Sequence, residues 1–531
     1  MESSPSTLLK LLLPKTPFIF KTALWHTLSI SPTSSKWDLR TEITINILRD
    51  LIGPNSTPQP ISKLQRLTCR DGGVKGKVWV SKVNLDPTPE DDVRQLLFSA
   101  IDDLGTGEEV WTKPENAALE AEWNGYRSGV DDDTPEPCDL GEGEKYARLV
   151  AETSSPVTVL YFHGGAMYLL DPATYRPTTS RIAKDTGGRV FNVRYRLSPQ
   201  NPFPAALLDC FTAYLSLLYP PPGSPHTPIS SSEIVFGGDS AGGTCCTALL
   251  QLLLHLHRST DTTPTVLFHG SRVPIPLPAG VALTSPWLDI TRSLPSLESN
   301  TIYDYLPPPS GSSTLRLPPC PAWPASPPRA DLYAHDTALT HPLVSPLAAR
   351  DWQNSPPVFV SVGQEMLRDE DAVFARRMAG QGVRVRWCEF EGMPHCFAMV
   401  LGFLSAAAVH HAEFARFCVD VVGRGGVAVE DGEEQSVGGE SETQTVVRER
   451  EEQTVDVNEA SQSATNKPSP RPRTSATLVK AKTLERRNLD IQALTAITED
   501  DVAAYMQEGQ RRIREKFLRG REGSAEVRPM L

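Results

Sequence analysis

The most chemically suggestive stretch of the 531-residue sequence is IVFGGDSAGG, which places Asp239-Ser240 between Gly238 and Gly242. An apolar, strand-like run precedes this G-x-S-x-G pattern, and an apolar helical run follows it. A serine on a sharp strand-to-helix turn requires glycine two residues away on each side, because Cβ atoms there would collide. Such a turn presents the hydroxyl at the positive end of the next helix. The pattern predicts a nucleophilic serine, and a chance glycine turn is the alternative.

A second glycine-rich turn, His163-Gly164-Gly165-Ala166, follows the apolar run at 157–162. Acyl transfer to a serine generates an oxyanion, and preformed backbone N–H donors are the usual way to stabilise it. Glycines after a strand let the backbone approach a substrate that side chains would block. A flexible loop would explain the glycines alone, but not their combination with a nucleophilic turn downstream.

A serine nucleophile requires a general base, and the base requires an acid that orients it. Among 11 histidines, His395 stands in the loop after the apolar run 383–389, where catalytic groups of open sheets belong. The other candidates lie in predicted helices and are interpreted as structural: His255, His257, His410 and His411. For the acid, the segment GQEMLRDE follows another apolar run and offers Glu365 and Asp369. Glu365 is favoured because it directly follows the strand, whereas Asp369 stands where a helix should begin and is interpreted as a cap or dipole partner.

Short apolar runs alternate with helical segments from about residue 156 onward. This alternation predicts an α/β fold with a mostly parallel sheet covered by helices on both faces. Helical periodicity also appears at residues 37–51 and 91–104, within a first segment that is otherwise helical or loop-like. The expected strands are Val157–Phe162, Arg189–Val193, Ile234–Phe236, Val281–Thr284, Val358–Val362 and Val383–Glu389.

Composition excludes several classes of function. The chain has 52 Lys and Arg against 64 Asp and Glu, a formal net charge of -12, which disfavours nucleic acid as a partner. Nine cysteines without a CxxC pair suggest neither a disulfide framework nor a zinc site, and a reducing compartment is the simpler interpretation. The N-terminus is a poor signal peptide and no run is long enough to span a membrane. We therefore expect a cytoplasmic protein with at most peripheral membrane contact.

Six ordered motifs together resemble the hormone-sensitive-lipase family of α/β-hydrolases, most closely its fungal members: HGGAM, RYRLSPQNPFPAALLDC, GGDSAGG, TSPWLDI, GQEMLRDE and GMPHCF. EWNGYRSGV also fits the fungal pattern. The resemblance implies an α/β-hydrolase core at 151–424, with 1–150 contributing to a helical cap. It also implies esterase or lipase-like activity on a small-molecule ester, without a metal or cofactor.

The resemblance also assigns roles to individual residues. It implies a triad of Ser240, Glu365 and His395, in the chain order that is usual for α/β-hydrolases. The implied oxyanion donors are the backbone N–H groups of Gly164, Gly165 and Ala241. Two alternatives stay open, an amidase of the arylformamidase type and a non-catalytic small-molecule receptor, and the presence of the histidine favours an enzyme over the receptor.

Residues 425–531 change abruptly in composition. The first part is rich in Glu, Ser, Gln and Pro and nearly free of aromatic residues, which predicts disorder. Thr498 to Asp501 resembles a capping box and predicts that the following residues are helical. We interpret this helix as transient within a disordered tail, because short isolated helices are marginal. On this interpretation the tail is dispensable for catalysis. The sequence does not indicate an oligomeric state.

Overall fold

The computed structural model describes residues 13–52, 58–311, 317–423 and 474–525. Twelve strands lie in these ranges: β1 (Val78–Leu85), β2 (Leu119–Tyr126), β3 (Thr158–Phe162), β4 (Arg189–Val193), β5 (Ile234–Asp239), β6 (Thr265–Phe268), β7 (Ser271–Pro274), β8 (Gly280–Thr284), β9 (Val358–Gly363), β10 (Val385–Phe390), β11 (Ser475–Val479) and β12 (Arg486–Leu489).

The helices of the same ranges are α1 (Thr16–Thr27), α2 (Leu39–Ile52), α3 (Ile61–Thr68), α4 (Asp92–Leu104), α5 (Glu142–Ala151), α6 (Pro172–Thr186), α7 (Ala205–Leu218), α8 (Ala241–Arg258), α9 (Ser296–Ser299), α10 (Arg368–Gly380), α11 (Phe397–Val400), α12 (Ser405–Val422) and α13 (Glu499–Ala525). The predicted helices near 37–51 and 91–104 correspond to α2 and α4.

Ten strands form one sheet in the order β1-β2-β4-β3-β5-β8-β9-β10-β11-β12. From β4 to β11 all neighbours are parallel, and β2 and β12 pair antiparallel with the strands beside them. All six strands expected from the sequence are present in the parallel part. The prediction of a mostly parallel sheet with helices on both faces is confirmed, and the carboxyl ends of β3, β5, β9 and β10 lie along one edge.

Two apolar cores cover the two faces of the sheet. On one face, α8 contributes a nearly continuous set of buried residues, because it follows β5 and lies directly against the sheet. On the other face, α12 packs beside α6 and buries aromatic side chains against β8 and β9. Burial on both faces explains why the parallel strands are apolar throughout and do not alternate.

The first 150 residues are less helical than the sequence predicts. β1 and β2 pair antiparallel over eight residues and extend the sheet beyond β4. Residues 78–126 therefore belong partly to the core, and the expected boundary at residue 150 is wrong for them. The alternation in β1 is interrupted by three consecutive buried residues, so its period-two signal is weak.

The disorder expected for residues 425–531 is wrong for 474–525. β11 pairs parallel with β10, β12 pairs with β11, and α13 packs against the core through Val502 and Met506. Thr498 and Asp501 form the expected capping box, with the Thr498 amide donating to the Asp501 carboxylate and the Asp501 amide donating to the Thr498 hydroxyl. The helix is stabilised by tertiary contacts, which propensity and composition do not reveal. The acidic residues from 424 to 473 lie outside the described ranges.

Candidate active site

Ser240 lies on the turn between β5 and α8, at the centre of the sheet. Its backbone has φ 51° and ψ -120°, a conformation that costs energy for a residue with a side chain. A Cβ on Gly242 would lie 1.9 Å from the carbonyl oxygen of Phe162, and one on Gly238 would lie 2.5 Å from that of Gly242. Glycine is therefore required at both positions, and the turn projects the serine at the N-terminus of an 18-residue helix.

The loop after β3 brings backbone N–H groups to the same end of the sheet. Gly165 has φ 108°, and a Cβ there would lie 2.1 Å from the carbonyl oxygen of Leu169. In the described part of the chain, the amides of Gly165, Ala166 and Ala241 donate to no protein acceptor. Ala241 begins α8, where first-turn amides have no intrahelical partner.

The expectation that Gly164 donates to an oxyanion is wrong in this structure. Its amide donates to the Tyr175 hydroxyl at 3.0 Å and to Oδ1 of Asp239 at 3.1 Å. A carboxylate already occupies this donor, so it is not free for a substrate oxygen. Sequence reasoning assigned the role of oxyanion donor to the amides of Gly164 and Gly165 in this turn. The unoccupied amides are those of Gly165 and Ala166.

Asp239, beside the nucleophile, connects β5 to the loop after β3. Its carboxylate accepts hydrogen bonds from the hydroxyls of Tyr161 and Tyr175, both at 2.8 Å, and from the Gly164 amide. Burial raises the pKa of this carboxyl to about 6. Asp239 thereby fixes the glycine loop against the strand that carries Ser240.

His163, which opens the glycine-rich motif, is structural. Its Nδ1 lies 2.7 Å from the carbonyl oxygen of Gly164, and its ring stacks on Tyr195 with 4.4 Å between ring centroids. Burial lowers the pKa of this imidazole to about 4. A neutral ring at ordinary pH suits a packing role.

Glu365 and His395 meet although 30 residues separate them. Glu365 follows β9, His395 follows β10, and the parallel pairing of these strands brings both loops together. Oε2 of Glu365 lies 2.9 Å from Nδ1 of His395, and the glutamate side chain is fully buried. Burial lowers the pKa of the imidazole, but Cys396 and Glu365 outweigh it and the net direction is upward.

Asp369, the rival acid, is directed elsewhere. Its Oδ2 accepts from the amide of Ser296 at 2.9 Å, and its own amide donates to the Ser296 hydroxyl at 3.0 Å. Asp369 lies in the first turn of α10 and makes no capping bond to that helix. It instead satisfies the first amide of α9.

The nucleophile and the histidine are linked through Ser285. The Ser240 amide donates to the carbonyl oxygen of Ser285 at 3.1 Å, and the Cys396 amide donates to the Ser285 hydroxyl at 3.2 Å. Among the described residues, the Ser240 hydroxyl makes no hydrogen bond, and Nε2 of His395 lies 3.4 Å from Sγ of Cys396. Bonds between nucleophile and base are often formed only with substrate bound.

Sequence reasoning missed Asp304, which lies between β8 and β9 at the start of a stretch rich in Pro and Ser. The side chain is buried, and its carboxylate accepts from the amides of Tyr305 at 2.7 Å and Met366 at 2.9 Å. Burial, followed by the charge of Glu365, raises the pKa of Asp304 to about 6. The ring of Tyr305 lies 6.2 Å from that of His395. No motif marks these residues, because their contacts form only in the folded chain.

Three of the histidines that lie in helices contact structural groups. His255 reaches Asp103, His257 reaches a backbone carbonyl, and Nδ1 of His410 lies 2.7 Å from the Ser361 hydroxyl. Within the described ranges, no group of three His, Cys, Asp or Glu side chains is arranged to hold a metal ion. In the same ranges, no helix has the length and apolar character needed to cross a membrane.

The comparisons with known proteins agree with this architecture. Residues 159–399 match a family described as alpha/beta hydrolase fold. An acetyl-hydrolase of Streptomyces hygroscopicus is 30% identical over 241 residues, which cover 45% of this chain and 67% of that protein. An esterase of Acinetobacter venetianus is 27% identical over 290 residues, covering 52% and 80%. The hormone-sensitive lipase of Homo sapiens is 32% identical over 91 residues, covering 17% and 8%. The chain belongs to the α/β-hydrolase fold family.

Proposed function

We propose that this protein hydrolyses carboxylic esters, with Ser240 as nucleophile, His395 as general base and Glu365 as the acid that orients the base. The observation that carries the proposal is the 2.9 Å contact between Oε2 of Glu365 and Nδ1 of His395, at the same edge of the sheet as a serine on a strained strand-to-helix turn. The names of the relatives, acetyl-hydrolase and esterase, support the same reaction.

The acylation step follows from these positions. The Ser240 hydroxyl attacks the ester carbonyl while Nε2 of His395 takes its proton, and the tetrahedral oxyanion accepts from the amides of Gly165, Ala166 and Ala241. Collapse of the intermediate breaks the bond to the alcohol, which leaves with the proton from His395. Glu365 holds the imidazole with Nε2 directed at the serine and stabilises its cation.

Deacylation repeats the sequence with water. His395 takes a proton from the water as the water oxygen attacks the acyl-serine carbonyl, and the oxyanion again accepts hydrogen bonds from the same amides. Collapse breaks the bond to Ser240, which recovers its proton, and the carboxylic acid leaves. Each step needs only substrate, water and the protein's own groups.

Ester hydrolysis is favoured over the two alternatives. A non-catalytic receptor does not require a base, yet the histidine is present and bonded to a buried carboxylate. An amidase of the arylformamidase type would use the same groups, so substrate choice separates it from an esterase. A particular closeness to fungal members and a cytoplasmic location stay predictions.

The test compares p-nitrophenyl acetate and butyrate with N-formylkynurenine, using the full chain, Ser240→Ala and a matched control. Ser259→Ala is that control, since Ser259 lies just beyond the other end of α8 and is exposed. We expect turnover of the p-nitrophenyl esters by wild type and Ser259→Ala, and a loss of several orders of magnitude in Ser240→Ala. Preferential turnover of N-formylkynurenine would identify an amidase, and Ser240→Ala retaining a tenth of the wild-type rate would refute the nucleophile.

A further inference from the structure

Residues 13–30 expose an unusual number of large apolar side chains. Seven of them are more than a third exposed, including Phe20 at 68% and Leu28 at 58%: Leu13, Phe18, Phe20, Leu24, Trp25, Leu28 and Ile30. Isolated exposed apolar residues are ordinary, but a contiguous set on one element marks a contact surface. We name these seven residues the apolar patch.

Helix α1, which carries most of the patch, has apolar residues on its outward side as well as on the side toward α2. At 100° per residue, the exposed apolar residues from Phe18 to Leu28 fall within an arc of about 160°. The opposite side holds the half-buried Ile19 and Ala23 and the buried Thr22. It also holds His26, whose Nδ1 lies 2.5 Å from Oε2 of Glu42 on α2. A surface helix normally turns its apolar face toward the protein, whereas the outward face of α1 exposes apolar side chains to water.

The charges on this segment point to a lipid surface as that medium. Residues 13–30 contain Lys15 and Lys21 and no Asp or Glu. Lys15 forms an ion pair with Asp50 of α2, so Lys21 is the cation that the patch presents. Lys21 lies within the apolar arc, is exposed and extends over the Trp25 ring at 4.5 Å. At the centre of a protein interface this ammonium would be buried, which is costly, and lysine is depleted in such interfaces. At a membrane surface the same side chain reaches the lipid phosphates while its neighbours enter the acyl region.

A series of contacts leads from α1 to the site. Helix α1 packs on α2, and Arg49 of α2 donates to the carbonyl oxygens of Asp304, Thr301 and Ile302. The buried carboxyl group of Asp304 lies beside Glu365, and no sequence motif marks this residue. Ile302, on the intervening turn, is itself 37% exposed. Contact of α1 with a bilayer would hold the side of the protein formed by α1 and α2 near the lipid.

We propose that residues 13–30 dock the protein peripherally on a phospholipid bilayer, with the apolar patch inserted at the depth of the headgroups and Lys21 at the lipid phosphates. The proposal does not depend on ester hydrolysis. It commits to one occupant, a phospholipid surface, and a second copy of the chain is an outcome of the test.

The test is flotation of the full chain with vesicles of phosphatidylcholine and phosphatidylserine in a three-to-one ratio. The variant Phe20→Ser, Leu24→Ser, Leu28→Ser removes three exposed apolar side chains from the patch. The matched control Val110→Ser, Val419→Ser, Leu518→Ser removes three side chains of similar exposure from other surfaces. We expect wild type and control to float with the vesicles, and the patch variant to bind at least about tenfold more weakly.

Two further measurements sharpen the result. Lys21→Gln should weaken binding about fivefold on these vesicles and leave binding to pure phosphatidylcholine unchanged, since one basic residue near an anionic surface contributes about 1 kcal/mol. Hydrolysis of p-nitrophenyl acetate without lipid should be equal in the patch variant and its control. Wild type that stays unbound, a patch variant that floats like wild type, or a dimer in solution that the patch variant abolishes would each overturn the proposal.

Discussion

The two halves of the candidate site are built differently. The central half, with Ser240 and the glycine-rich loop, lies on β3 and β5 and is shaped by backbone: a strained turn, unoccupied amides and glycines that no other residue could replace. The edge half, with Glu365 and His395, lies on the loops after β9 and β10 and depends on side chains from distant parts of the chain. The glycine spacing marks the central half within one short segment, whereas Glu365 and His395 are recognised by their places after two separate strands and come together only in the folded chain.

The loop Glu391–His395 shows how far these dependencies extend. From the N-terminal segment, Nε1 of Trp37 donates to the carbonyl oxygen of Gly392 at 2.6 Å. From the C-terminal segment, Lys480 lies 3.3 Å from the Glu391 carboxylate, whose backbone amide donates to the carbonyl oxygen of Val479 at 2.9 Å. Segments at both ends of the chain therefore hold the loop that carries the proposed base.

The largest effect is expected from Glu365→Gln. The amide keeps the size of the side chain but cannot stabilise the imidazolium, so kcat should fall by about three to four orders of magnitude with little change in KM. Steady-state kinetics on p-nitrophenyl butyrate measure both parameters. A loss of less than tenfold would show that the edge half does not need this carboxylate.

The C-terminal segment should contribute to the stability of the fold, although the composition of the tail suggests disorder. Val479 on β11 is 1% exposed and packs in the core beside β10. Val479→Asp should lower the free energy of unfolding by about 3 kcal/mol or more, because it removes apolar burial and introduces a buried carboxylate. The control Leu518→Asp, on the exposed side of α13, should leave it nearly unchanged. Thermal or urea unfolding distinguishes the two variants, and equal stabilities would show that β11 contributes little to the stability of the fold.

The pH dependence tests the environment of His395. A general base must be neutral, and a raised pKa keeps this imidazole protonated to a higher pH. We therefore expect kcat/KM to fall as the pH is lowered through a value above 6.5, the ordinary pKa of histidine. A profile of kcat/KM that stays flat down to pH 5 would contradict the raised pKa of His395.

The smallest effect is expected from Asp369→Asn. The side chain accepts one hydrogen bond from Ser296 at the start of α9, and asparagine can still accept it. The variant should lose about 1 kcal/mol of stability or less and retain its kcat. The comparison with Glu365→Gln on one ester is direct: a large loss of kcat in Asp369→Asn alone would transfer the role of the acid to Asp369.

Much of the architecture follows from sequence because it depends on local pattern. Apolar runs predict the parallel strands, and the spacing of glycines around Ser240 predicts the turn that the structure contains. The assignment of Gly164 failed because a carboxylate 75 residues away takes its amide, which no spacing rule describes. Strands β11 and β12 were missed because a composition that predicts disorder precedes them and because β10, the partner of β11, lies 89 residues earlier in the chain.

The most direct test of the account is covalent labelling with a serine-reactive organophosphate, followed by mass spectrometry of the digested protein. We predict one modified peptide, carrying the phosphoryl group on Ser240, with activity on p-nitrophenyl butyrate lost in proportion to labelling. Ser240→Ala should remain unlabelled at that peptide. Loss of wild-type activity with the label on another residue, or full activity with Ser240 labelled, would contradict the assignment of Ser240 as the nucleophile.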